Sequence, residues 1–82
     1  MRYHSSDMED LEALRRRRRS VRPQELHRVL LRAGFRFREG RGSHRVYSHP
    51  GLKRILTIPQ SRSPVRAVYV DAVIQAIREV RA

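Results

Sequence analysis

The fold is decided by Phe35–Gln60, FRFREGRGSHRVYSHPGLKRILTIPQ, which predicts three short antiparallel strands joined by two turns. Phe35 and Phe37 alternate with arginines, as expected of a strand with one buried face. Glycines mark both turns, and Pro59 ends the third strand because proline cannot donate a hydrogen bond to a sheet. We place the strands at residues 35–38, 43–48 and 53–58, with turns at residues 39–42 and 49–52.

Two amphipathic helices flank the predicted sheet. Pro23 suits the first turn of the first helix, and Gly34 suits the position just past its end. The apolar stripes are Leu26, Val29, Leu30 and Ala33 in the first helix, and Val70, Val73, Ile74, Ile77 and Val80 in the second, over residues 67–80. This order predicts a two-layer α+β domain of α-β-β-β-α topology, with both helices on one face of a three-stranded antiparallel sheet and the other face open.

The first 20 residues have a different character from the rest of the chain. Residues 6–9 match a capping box, and Met8, Leu11 and Leu14 form a thin apolar stripe, so a short helix is one interpretation. The five adjacent arginines at 15–19 repel one another, which favours a flexible extension instead. We therefore divide the chain into a flexible N-terminal extension, residues 1–20, and a compact domain, residues 21–82.

The composition is strongly basic. There are 19 Lys and Arg residues against 8 Asp and Glu, a net charge of +11 over 82 residues, and Lys53 is the single lysine. Arginine binds phosphate through two parallel hydrogen bonds, so this excess favours a nucleic acid as the partner. A genome that prefers arginine codons is the alternative. It explains the choice of arginine over lysine but not the excess of positive charge.

The composition also bears on compartment and cofactors. Cysteine is absent, which excludes disulfides and thiolate metal sites. No apolar run reaches the roughly 18 residues that a membrane span needs, and the first residues lack the apolar centre of a signal peptide. The acids are scattered, and His44 and His49 have no Cys or acidic partner at ligand spacing. We therefore expect a cytoplasmic protein with no metal, no cofactor and no membrane partner.

The candidate site centres on His44, which follows a glycine-bearing turn at the start of the second strand. Alternation places His44 on one face of that strand and Tyr47 on the other, but neither face is cleanly apolar, so the sequence leaves open which one the helices cover. His27 lies off its helical stripe, and we expect it on the surface. The candidate phosphate-binding residues are Arg36, Arg38, Arg41, Gly42, Ser43, Arg45, Lys53 and Arg54.

Cleavage of RNA by attack of the 2′-hydroxyl needs few groups. A histidine titrates in the range needed to accept or donate the proton, and arginines can stabilise the charged phosphorane. A lone histidine in a basic domain is more often structural or ligand-binding than catalytic. Residue chemistry alone therefore also leaves open a non-catalytic module of double-stranded-RNA-binding type.

The motifs over Ala33–Pro59, preceded by an amphipathic helix, resemble the HicA (YcfA-like) family of toxins from type II toxin–antitoxin systems. They are Ala33-Gly34-Phe35, Gly42-Ser43-His44, Tyr47, His49-Pro50-Gly51 and Thr57-Ile58-Pro59. The resemblance implies a double-stranded-RNA-binding-like fold and a ribonuclease that cleaves mRNA and blocks translation.

The resemblance also assigns roles to residues and names a partner. It implies that His44 is catalytic, that Gly42 shapes the start of the strand and that Ser43 hydrogen-bonds phosphate. It further implies a HicB-like antitoxin that covers the histidine, and we expect the free toxin to be a monomer. Many relatives carry a basic residue and a histidine directly after the third strand. Gln60 and Ser61 stand there in this chain, so no helper histidine is assigned.

Overall fold

The sheet predicted in Phe35–Gln60 is present in the computed structural model, which describes residues 10–81 of the chain. Its strands pair antiparallel in the order β1-β2-β3. Tyr47 lies at the centre of the register, opposite Phe37 on one side and Leu56 on the other. The strands are β1 (Arg36–Glu39), β2 (His44–Ser48) and β3 (Leu56–Pro59).

The third strand is shorter than predicted, because it begins at Leu56 rather than at Lys53. Leu52 is buried in the core, which draws the chain away from the sheet after the second turn. Arg54 then donates two hydrogen bonds to Glu79, and Ile55 is exposed. Residues 53–55 therefore belong to a loop and not to a strand.

Three helices accompany the sheet: α1 over residues 10–16 of the described chain, α2 (Pro23–Arg32) and α3 (Ala67–Arg81). Pro23 begins α2 as predicted, since the first turn of a helix does not need the proline N–H. Gly34 follows α2 with φ 90°, a left-handed conformation that residues with a Cβ resist. None of the described helices is long and apolar enough to cross a membrane.

One face of the sheet is covered by helices, which confirms the predicted two-layer α+β architecture. Tyr47 and Ile58 point from β2 and β3 into a core that Leu26 and Leu30 of α2 complete. From α3 the same core receives Val70, Val73, Ile74, Ala76 and Ile77. Because Tyr47 is fully buried, alternation directs His44 to the uncovered face. The orientation that the sequence left open is thereby settled.

Part of the segment predicted as an extension packs against the domain. Leu11 and Leu14 are 5% and 3% exposed and belong to the core, so α1 adds a third helix to the helical side. Helix α1 agrees with the helical interpretation of this segment. The capping box at residues 6–9 lies outside the described residues, and the domain division at residue 20 stays a prediction.

We predict that α1 contributes to the stability of the domain. Leu14→Ala should lower the free energy of unfolding by about 2–5 kcal/mol, because it leaves a cavity in the core. Leu31→Ala is the matched control: the same substitution at a side chain that is 43% exposed should cost about 1 kcal/mol or less. Urea denaturation of both variants checks this. Equal effects would mean that α1 is not part of the cooperative unit.

Candidate functional site

The uncovered face of the sheet carries the predicted site. Arg36 lies opposite Ser48, and Arg38 lies opposite Val46, so both arginines share the face of His44. Val46 is only 8% exposed although it lies outside the core cluster, and it forms an apolar centre on this face. The face therefore places one nearly buried valine beside the cationic side chains of β1.

His44 begins β2 on this face and is exposed. Its Nδ1 lies 3.0 Å from the backbone oxygen of Arg41. A carbonyl oxygen only accepts hydrogen bonds, so Nδ1 carries the hydrogen and donates. The Nε2 of the neutral ring is then left with its lone pair. This one hydrogen bond orients the imidazole and selects the tautomer whose second nitrogen can accept a proton.

The turn before His44 depends on two glycines. Gly42 has φ 61°, which a side chain would resist. Gly40 donates its N–H to the His44 carbonyl over 2.8 Å and closes the turn. A Cβ at Gly40 would lie 3.3 Å from Val46 Cγ2 and 3.6 Å from His44 Cβ. The absence of side chains at both positions lets the turn close and keeps the space beside His44 open.

Three of the predicted phosphate-binding arginines lie on this face or in the turn before it: Arg38 and Arg41 near His44, and Arg36 farther along β1, opposite Ser48. All three are exposed, and within residues 10–81 none of them forms an ion pair. Ser43 is also exposed, and its carbonyl accepts the backbone N–H of Gln60. The face therefore presents uncompensated positive charge beside a proton-transfer group, an arrangement that suits a phosphate.

Arg45 is placed on the other face of the sheet from His44. It donates from Nε to Glu39 over 3.1 Å, and its Cζ lies 5.3 Å from the centroid of the Phe37 ring. A guanidinium held by a carboxylate and an aromatic face is committed to the fold. The structure therefore does not bring Arg45 together with His44, and its phosphate contact stays a prediction.

Lys53 and Arg54 are also remote from His44. They lie in the loop beyond Ser48, at the opposite end of β2, which spans about 13 Å over its length. Arg54 is paired with Glu79 of α3 through hydrogen bonds of 3.0 and 2.8 Å. These two residues stay predictions as phosphate contacts and do not belong to the cluster around His44.

His27 was expected on the surface, but it is partly buried and lies in an aromatic cluster. Its Nδ1 is 2.8 Å from the Tyr47 hydroxyl, and its ring meets Phe37 edge-on with centroids 4.6 Å apart. Burial, and next the charge of Arg45, lower the pKa of His27. Burial raises the pKa of Tyr47. Tyr47 was the signal in the sequence that could have indicated this role of His27, because a buried phenol needs a hydrogen-bond partner.

His49 has a structural role. Its Nδ1 accepts the backbone N–H of Gly51 over 2.9 Å, and its ring packs on Phe35 with centroids 5.0 Å apart. These contacts shape the turn between β2 and β3. Nowhere in residues 10–81 do three His, Cys, Asp or Glu side chains gather in a way that could hold a metal ion.

Comparison with known proteins identifies one family. The model described as "HicA toxin of bacterial toxin-antitoxin" matches residues 23–77. This match covers two thirds of the chain and includes α2, the whole sheet and most of α3. No curated protein and no solved structure matches the chain.

The glycine turn before His44 should be sensitive to a single methyl group. Gly42→Ala places a Cβ in the left-handed region and should cost about 1–2 kcal/mol of stability. Ser43→Ala, one residue further along, should change stability by less than about 0.5 kcal/mol. Urea denaturation measures the stability of both variants, and hydrogen exchange of the Gly40 amide reports whether the turn stays closed. An unchanged Gly42→Ala protein would contradict this account of the turn.

The His27 cluster should make stability depend on pH. Because the pKa of His27 is lowered in the fold, the unfolded chain binds more protons below its ordinary pKa of about 6.5. The contribution of the neutral His27 ring to stability is complete above about pH 6.5, and it is lost as the pH falls toward the pKa of His27 in the folded protein. His27→Gln cannot titrate, so the wild type should lose more stability than this variant between about pH 7.5 and about pH 5. Parallel profiles by urea denaturation would contradict the prediction.

Proposed function

The chain belongs to the HicA toxin family, and on that premise we propose that it is an endoribonuclease that cleaves mRNA, and so blocks translation, without a metal ion. The family makes it the toxin of a toxin–antitoxin system, with an antitoxin as partner. The observation that carries the proposal is His44 on the open face. Its Nδ1 is anchored to Arg41, and its Nε2 is left to act on a bound phosphodiester.

The proposed chemistry uses this chain's own side chains. As a general base, Nε2 of His44 accepts the proton of a 2′-hydroxyl, whose oxygen attacks the adjacent phosphorus. The bond from phosphorus to the 5′-oxygen then breaks, and the leaving oxygen takes a proton from water. In the general-acid alternative, water takes the proton of the 2′-hydroxyl, and the charged ring of His44 donates the last proton to the leaving 5′-oxygen. The products are a 2′,3′-cyclic phosphate and a 5′-hydroxyl end.

The arginines on the same face supply electrostatic stabilisation. Arg38 and Arg41 flank the His44 side of the sheet and have no ion-pair partner within residues 10–81. Donors already in place where charge develops stabilise the phosphorane more than the starting phosphodiester. Arg36, further along β1, holds a neighbouring phosphate, and the Ser43 hydroxyl hydrogen-bonds the reacting one.

The antitoxin is proposed to be HicB-like and to cover His44. The open face is the only face of the sheet without a helical layer within residues 10–81, and it includes the apolar Val46. The free toxin is proposed to be a monomer.

A non-catalytic RNA-binding module is the second candidate. The unpaired arginines of the open face favour it equally, because phosphates and 2′-hydroxyls can be bound without any proton transfer. The two candidates differ only in what His44 contributes. A test must therefore separate binding from cleavage.

Cleavage of a labelled mRNA in EDTA tests the role of His44. His44→Ala should lower the cleavage rate by about 10²–10⁴-fold and leave RNA binding in place, because one proton-transfer group is lost. His49→Asn is the matched histidine control. Its side-chain oxygen can still accept the Gly51 N–H, so cleavage should stay at the wild-type level.

The products distinguish the mechanism. We expect products with 2′,3′-cyclic phosphate ends. We also expect an RNA with a 2′-methoxy group at the cut site to resist cleavage, because its nucleophile is blocked. Cleavage of the methoxy RNA at the normal rate would contradict attack by the 2′-hydroxyl. Binding without cleavage by wild type and His44→Ala alike would favour the non-catalytic module. Equal cleavage by both proteins would place the chemistry elsewhere.

A further inference from the structure

The arginine run at residues 15–19 is divided by tertiary contacts into two kinds of side chain. Helix α1 ends at residue 16 and a turn follows. Arg17 pairs with Glu25 of α2, and Arg18 donates to Asp71 of α3 over 2.8 and 2.7 Å. These two pairs hold the turn on the helical side of the domain. Within the described chain, three exposed members of the run form no ion pair: Arg15, Arg16 and Arg19.

These arginines line the first of three connected surface depressions. The first is lined by residues 15–20. The second shares Arg17 and Ser20 with it and adds Arg28 from α2. The one acid along this part is Glu25, which Arg17 already neutralises. The positive charge of Arg28 is therefore uncompensated, like the exposed charges of the run.

The third depression carries this surface to the end of the sheet where His44 lies. It shares Arg22 and Gln24 with the second depression and is also lined by Arg45, from the helix-covered face of β2, and by Gln60. Gln60 donates its backbone N–H to the carbonyl of Ser43, the residue before His44. The three depressions thus form one continuous surface from α1 to Gln60, which we call the arginine track.

We propose that the arginine track binds the sugar–phosphate backbone of single-stranded RNA and leads the strand over the end of the sheet to His44. The proposal rests on the proposed function, since it assigns a substrate path to that site. A positively charged groove that follows the backbone is how proteins hold single strands without reading sequence. The side chains that line the track are arginines, glutamines and serines, with one glutamate and one proline, which suits a polyanion rather than an apolar segment of a protein.

The end of the track that carries the arginine run lies outside the family match, whereas Gln24, Arg28 and Gln60 lie within it. The match begins at residue 23, whereas the run and Arg22 precede it. The run approaches from the helical side, and His44 lies on the opposite face of the sheet. An RNA bound at His44 therefore contacts the track only if its strand continues well past the cleaved bond. The contribution of the track should grow with RNA length.

Binding measured in a His44→Ala background tests the track, because the RNA then stays intact. The track variant is Arg16→Gln with Arg19→Gln. The control, Arg32→Gln with Arg81→Gln, removes the same charge from exposed positions outside the track. For an RNA of about 16 nucleotides, the track variant should bind about fivefold more weakly and the control less than about twofold. The salt slope should fall by about 1.4 in the track variant, since two contacts with a single strand are lost.

A short RNA completes the test. For about four nucleotides around the cleaved bond, the track variant should bind like its parent. Equal weakening by the track and control variants, or equal effects on short and long RNA, would overturn the track and leave only a general charge effect. If wild type fails to cleave while the length-dependent loss is present, the track stands and the nuclease proposal fails. If cleavage depends on His44 but the track variant shows no length-dependent loss of RNA binding, the nuclease proposal stands and the track alone is overturned.

Discussion

The burial of Tyr47 is the contact on which the rest of the structure depends. Its ring is fully enclosed between the sheet and the helices, and its hydroxyl shares a hydrogen bond with His27 of α2. Because side chains alternate along β2, this single orientation directs His44 to the open face and Arg45 to the covered one. A phase change of one residue would bury His44 and expose Tyr47, so the same contact that stabilises the core also exposes the candidate site.

The arginines divide into those that hold the fold and those that remain available to a ligand. Arg18, Arg45 and Arg54 connect separate elements through carboxylates, and such solvent-screened pairs add little to stability. Most acids of the described chain are used in this way, so the uncompensated charge collects on the open face and along the arginine track. A strongly basic composition thus becomes two surfaces, the open face with His44 and the arginine track, which ends at Gln60 next to Ser43.

The placement of the candidate site residues could be predicted to the extent that these residues are close in sequence. His44 and Arg41 belong to one glycine turn, and Arg38 follows from pairing neighbouring strands, so local patterns were enough. Arg45 was assigned to the same cluster because proximity in sequence does not reveal the face. Lys53 and Arg54 were placed on a strand that begins only at Leu56, because the burial of Leu52 depends on packing and not on periodicity.

By itself, the sequence determined the order of helices and strands, the turns, the excess of arginine and the likeness to HicA toxins, because each follows from local periodicity, composition or adjacent motifs. The tertiary structure decided which sheet face is open, that α1 packs on the core and which arginines are paired. Those outcomes rest on contacts between distant residues, such as His27 with Tyr47 and Arg18 with Asp71. Such contacts form only when the folded chain brings its elements together, so no local pattern specifies them.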